Sequence, residues 1–356
     1  MDDTGWGGYQ KAVMNAAENF WKSRRAVGLW LLAVAVVILG MVTIGGLTRL
    51  TGSGLSITEW KPIMGALPPL NDAQWADAFA KYQRIPQYIH ENHGMTLEGF
   101  KGIFWWEWSH RFLGRLLGFV FFIPFVWFAA VGAIKRSEWP RMLLLFVLGG
   151  LQGFIGWWMV TSGFEVRTSV SQYRLAIHLG AALLLLVAIL WIALEYLRGS
   201  DSARSSVTVP KRGYVMAALV YFQMLLGALV AGLHAGLVYN TWPDMNGGVF
   251  PEMPFYNSPW WTNFFENDGL AQFDHRIGAY VVAGFAAFIY ARGIKLTGYA
   301  KTSAKTVAII TIWQVFLGIA TLLLQVPELL AAAHQVTAAL LLSAAVWHAF
   351  ELRRLS

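Results

Sequence analysis

Eight apolar runs, each about as long as a bilayer is thick, dominate this chain. They lie near 27–48, 112–134, 141–161, 175–197, 214–236, 274–292, 306–326 and 329–350. A helix crossing the hydrocarbon core needs about 20 apolar residues. Backbone groups in lipid must find partners within their own segment, and helices do that. The sequence therefore predicts an all-α polytopic membrane protein with eight transmembrane helices. Of its 356 residues, 56% are hydrophobic and 13% charged, against about 25% charged in soluble domains. The chain has no cysteine, which excludes disulfides, thiolate ligands and Cys-based zinc or iron–sulfur centres.

Lys and Arg set the expected orientation. The N-terminus, 135–141, 198–212, 292–305 and the tail hold 17 of the 27, and the opposite segments hold 10 despite containing the longest loops. The positive-inside rule then puts both termini in the cytoplasm of a bacterial inner membrane. The net charge of +7 follows from topology, and no nucleic-acid partner is expected. The N-terminal MDDTGWGGYQ is acidic without an apolar core, and reads as neither a signal nor a transit peptide. The expected organisation is a cytoplasmic segment 1–26, a first four-helix bundle over 27–198, a polar linker 199–212, a second bundle over 213–350 and a tail 351–356. The first bundle carries a long outer loop, 50–109. Within it NDAQWADAFAKYQRI spaces Trp75, Ala78, Phe79 and Tyr82 as a helix that Pro86 ends. Thr96 is placed to cap another helix leading into Trp105, Trp106 and Trp108, which suit the interface belt.

The two halves read as a repeat. His110-Arg111 in the second run matches His275-Arg276 in the sixth. Gln152-x-Phe154-x-Gly156 matches Gln314-x-Phe316-x-Gly318. His178 with Ala182 matches His334 with Ala338. Gly45-x-Leu47 followed by Trp60 matches Gly227-x-Leu229 followed by Trp242. An even number of helices per half makes the repeat parallel, about a pseudo-two-fold along the membrane normal.

His110, His178, His275 and His334 thus fall at equivalent positions near the outer, periplasmic ends of even-numbered runs, two per half. Paired imidazoles across a four-helix bundle suit the two axial positions of haem iron. Zinc would need further ligands that neither site offers. A lone intramembrane histidine is more simply an interhelical hydrogen-bonding group, and His90, His93, His234 and His348, outside the pattern, read as structural or solvated. Arg111, Arg115 and Arg276, at expected helix N-termini, are candidates for the haem propionates; snorkelling is the alternative account, and it explains Arg115, a full turn deeper, less well. Glu107 aligns with Gln272, so a carboxyl stands beside one site and an amide beside the other. That asymmetry implies unequal tasks, with proton movement at the first site; an i,i+4 salt bridge to Arg111 is the structural alternative. The ridge Gly114-x-x-x-Gly118 reads as helix packing.

EWSHRFLGR at 107–115, GGLTRLTGSGLSITEWKPIMGALPPL at 45–70 and GLVYNTWPDMNG at 236–247 together resemble the haem A synthase family, in its mitochondrial and alphaproteobacterial form. The likeness covers nearly the whole chain apart from roughly the first 20 residues and the linker. It implies an enzyme that oxidises a ring methyl of haem O to the formyl group of haem A by successive hydroxylations, for cytochrome oxidase. It also implies haem b between His275 and His334, the haem O substrate between His110 and His178, and Glu107 as the catalytic carboxylate. Some bacterial members carry cysteine pairs in the outer loops; this chain has none, so a thiol-dependent step cannot operate here. Expected partners are an unidentified electron donor, haem O synthase, cytochrome oxidase assembly factors, the bilayer and a second copy in a homo-oligomer. Two other readings stand beside it: a bis-haem membrane cytochrome b that only carries electrons, and a haem transporter or assembly factor.

Overall fold

Three of the long helices begin at a small polar residue that caps them. Ser23 accepts from the Ala26 amide, Thr96 from Gly99 and Asn267 from Leu270, each satisfying one of the free N–H groups of a first turn. The computed structural model describes residues 23–61, 64–199 and 211–355. The segment 1–22 and residues 200–210 of the expected linker lie outside the described residues. Eight long helices follow one another: α1 (Arg24–Leu50), α2 (Leu97–Ala130), α3 (Trp139–Thr161), α4 (Gln172–Arg198), α5 (Arg212–Gly232), α6 (Asp268–Gly293), α7 (Gly298–Leu323) and α8 (Glu328–Arg354). Among the described residues the only β-type pairing is an isolated bridge between Met245 and Gly248.

Seven of these helices, α1–α5, α7 and α8, are long and apolar enough to cross a membrane. This is a multi-pass, all-helical membrane protein. The run expected at 274–292 lies in α6, which is 26 residues long but is not among the seven. His275, Arg276, Tyr280, Tyr290 and Arg292 dilute its apolar residues.

Two hydrophobic cores form, one from each group of four. The first joins Leu31 and Ile38 of α1, Phe125 of α2, Met142 of α3 and Ile189 of α4. The second joins Met216 of α5, Ile289 of α6, Val307 of α7 and Leu342 of α8, with Leu183 of α4 reaching into it. In each group the helices contact in a closed ring, and α1, α4, α5 and α8 meet across the middle. Burial here works through close packing more than water exclusion, because lipid tails are as apolar as the side chains they would touch. Small residues let backbones approach. A Cβ at Gly213 would meet the Ala349 Cα at 2.5 Å, so α5 and α8 touch nearly backbone to backbone.

The outer segment between α1 and α2 has its own core of Leu55, Trp75, Tyr82, Ile85, Phe100 and Phe104. The expected helix is present as Asp72–Tyr82, capped by Asn71. Pro86 does not end it. The helix closes at Gln83, and Pro86 is the first residue of another short helix, Pro86–His90, where its fixed φ and missing N–H cost nothing. Thr96 caps as expected, but no break separates its helix from the second apolar run: α2 is continuous for 34 residues. That moves His110 and Arg111 more than three turns in from the helix N-terminus. The macrodipole fades within the first turn, so it does not act on Arg111 or Arg115.

Candidate functional site: four histidines seated on glycines

Each of the four singled-out histidines packs its imidazole against a glycine of the preceding long helix. A Cβ at Gly45 of α1 would lie 2.8 Å from His110 Cε1. At Gly156 of α3 it would lie 3.2 Å from His178 Cε1, at Gly227 of α5 3.1 Å from His275 Cε1, and at Gly318 of α7 2.8 Å from His334 Cε1. A larger residue at Gly45 or Gly318 would force its ring to shift, and one at Gly156 or Gly227 would press on it. The sequence showed the glycines only as matching motif letters; their facing rings depend on how neighbouring helices rotate.

His275 and His334 face one another with ring centroids 6.4 Å apart and planes at 79°. That gap takes one metal with an imidazole on each side, since metal–imidazole bonds are about 2 Å long. Glutamines hold the backs of these rings. Gln223 Nε2 lies 3.0 Å from His275 Nδ1 and donates to the His275 carbonyl at 2.7 Å. Gln314 Nε2 lies 3.1 Å from His334 Nδ1 and 3.3 Å from its Nε2. The amide oxygens of Gln223 and Gln314 are buried without a hydrogen-bond partner. A metal-bound imidazole carries its proton on the far nitrogen and needs an acceptor there. A half-turn of the Gln314 amide would bring its oxygen there, and with the 6.4 Å ring separation the residues fit a bis-imidazole haem. Among the described residues no group of three or more His, Asp or Glu is placed to hold a metal alone.

In the first group, His110 rests on Gly45 of α1 and His178 on Gly156 of α3. Glu107 is buried, and its carboxylate is fully engaged. Oε2 accepts from Ser56 Oγ at 2.8 Å and from the Ile57 amide at 2.7 Å, and Oε1 accepts from Arg111 Nη2 at 2.6 Å. Arg111 also donates to the carbonyls of Ile57 at 2.8 Å and Glu59 at 3.1 Å. Arg115 donates to the Lys61 carbonyl at 3.2 Å.

The second group repeats the clamp with opposite polarity. Gln272 donates to the Ala235 and Tyr239 carbonyls, and Arg276 donates to Asp244 O at 2.7 Å, Tyr239 O at 3.0 Å and Gln272 Oε1 at 3.2 Å. Where the loop offers N–H and O–H groups the helix carries a carboxylate. Where it offers carbonyls the helix carries an amide. Sequence reasoning missed this loop-holding role of Arg111 and Arg276.

The other histidines stay apart. His348 is buried with Nδ1 2.9 Å from Ser303 Oγ, His93 is near Tyr88, and His90 and His234 are exposed. Of the small-residue ridge, Gly114 meets Met41 of α1, and Gly118 has nothing within 4 Å.

A multi-pass helical bundle with His275 and His334 facing one another inside it and loops clamped to its helices is a polytopic helical membrane protein. Its sequence matches the cytochrome oxidase assembly protein family over residues 28–346, and the chain belongs to that family. Among its relatives are proteins named heme A synthase. That of Parvibaculum lavamentivorans is 48% identical over 96% of this chain and 98% of its own. That of Allorhizobium ampelinum is 50% identical over 92% and 90%, and that of Brucella anthropi 48% over 92% of both.

Proposed function

We infer that this chain is the oxidoreductase that converts haem O to haem A for cytochrome oxidase, working in a bacterial inner membrane with both termini cytoplasmic. What carries the reading is the near-full-length likeness to proteins named heme A synthase. Within it, α6 is the eighth span, and the halves 27–198 and 213–350 are bundles related by a pseudo-two-fold. The recurrence of an imidazole on a glycine, twice in each half and in the same helix order, supports that repeat.

His275 and His334 hold a resident haem b, supported by their 6.4 Å separation and their glutamine supports. His110 and His178 hold the substrate haem O. Bound haem supplies the iron redox chemistry that the amino acids of this chain lack. The chain's own part is to seat the rings, exclude water and place charge. Glu107 stands three residues before His110, hence near the reacting edge of that site. It acts there as the group that takes up protons or stabilises developing positive charge. Arg111, Arg115 and Arg276 would meet the propionates, a planar guanidinium matching a carboxylate. Electrons come from a donor outside the chain, haem O from its farnesyltransferase, and haem A passes to oxidase assembly factors, with a homo-oligomer as the working unit.

The deciding experiment is to purify the protein in mild detergent, extract its haems and separate them with mass detection. Haem B together with haem O, its hydroxylated form or haem A is the expected result. Haem B alone, at two per chain, would replace the enzyme with an electron-carrying cytochrome.

A further inference from the structure

The four histidines are not supported alike, and the exception falls on the substrate site. In α3, α5 and α7 a glutamine precedes the seat glycine by four residues: Gln152 and Gly156, Gln223 and Gly227, Gln314 and Gly318. That spacing puts both on one helix face, so the glycine seats the ring and the amide reaches its Nδ1 side. The two ends of the Gln152 amide lie 3.2 Å from His178 Nδ1 and 3.0 Å from the Ala182 amide. In α1 the residue four before Gly45 is Met41. A thioether is at most a weak acceptor and never a donor. Met41 Cε ends 3.5 Å from the Cβ position of Gly114, four residues after His110; Gln152 meets Ala182, four residues after His178. The methionine therefore occupies the glutamine's place without its chemistry. Correspondingly, His110 Nδ1 is buried with no hydrogen-bond partner.

We propose that Met41 makes His110 the exchangeable ligand of the N-terminal site: His178 anchors the haem there, and His110 comes on and off. The inference rests on the ligand assignment above. One missing hydrogen bond shifts a ligand on–off equilibrium about tenfold. Metal-bound imidazoles ordinarily have a polar partner at the far nitrogen; a glutamine amide stands there at both histidines of the resident pair, where exchange would serve nothing. It is absent at one histidine of the pair whose haem must arrive as substrate and leave as product.

The test uses the full-length protein, loaded with added haem O, reduced and exposed to carbon monoxide. In the wild type one haem per chain binds carbon monoxide, and it is the haem lost in His178→Ala and kept in His275→Ala. Met41→Gln weakens that binding about tenfold, and the optical spectrum of that haem shifts toward fully low-spin. Gln314→Met does the reverse, turning the resident haem reactive toward carbon monoxide. Unchanged binding in Met41→Gln, or an inert resident haem in Gln314→Met, overturns the proposal, and the second variant decides the matter if the first does not fold. Wild-type haem content in both His178→Ala and His275→Ala is a different failure: it removes the ligand assignment itself and the proposal with it.

Discussion

A missing methyl group is what each of the four histidines stands on. Gly318→Ala would bring a Cβ to 2.8 Å from His334 Cε1, so the ring must tilt or α7 must retreat. The expected outcome is loss of most haem b with the protein still folded, read as the haem-to-protein ratio after purification. His275→Ala and His334→Ala should each release haem b entirely; unchanged haem b in either removes that residue as a ligand. Glu107→Ala is expected to leave both haems bound and stop formyl formation, measured by mass analysis of extracted haems. Normal haem A output would take Glu107 out of the mechanism, whereas loss of bound haem O would reduce it to the clamp of residues 56–57. The histidines themselves were legible in the sequence because ionisable groups in apolar runs are rare. Their seats and supports were not. Gln223 in particular escaped notice, since a glutamine four residues before a glycine carries no meaning until the facing ring is known.

Among the elements, the outer segment is where electrostatics can be read through pH. Hydrogen bonds from Lys81 and Lys61 hold the Glu59 carboxyl below its usual range, and Asp77 and Glu59 raise the Lys81 ammonium above its own. A depressed acid contributes above its unfolded value and loses that contribution as pH falls through the lowered folded value. A raised lysine contributes below its unfolded value and loses it as pH rises through the raised one. Protection of residues 59–82 from proteolysis should therefore hold across neutral pH and weaken only at the two extremes. The effect should be small and erased by salt, because the pairs are exposed. Flat protection at both extremes in low salt would discard the pairing as a stabilising contact. The helix Asp72–Tyr82 was readable from its cap and spacing. The unbroken length of α2 was not, because its outer turns around Trp105, Trp106 and Trp108 look like interface residues rather than a helix running on.

For the molecule as a whole, what matters is how the two groups of helices meet. Gln335 of α8 donates to the Val42 carbonyl of α1 at 2.9 Å and fills the space above Gly46, while Arg49 at the end of α1 donates to the Ala231 carbonyl of α5. Gly213→Ala should force α5 from α8 and lower stability by about 1–3 kcal/mol, seen as a drop in melting temperature in detergent; an unchanged midpoint would mean the contact yields freely. The all-helical, multi-pass character could be read in advance, because hydropathy and length are local properties. Interfaces could not, because a glycine's partner lies on another helix, as Ala349 does for Gly213 and Gln335 for Gly46. One consequence concerns how such a chain can drift. Arg111, Arg115 and Arg276 grip their loops by main-chain carbonyls at Ile57, Glu59, Lys61, Tyr239 and Asp244. A carbonyl is the same whatever side chain it belongs to. Those loops are therefore free in spelling but fixed in length: substitutions at the gripped positions leave the grip intact, and a single inserted residue puts every carbonyl out of step.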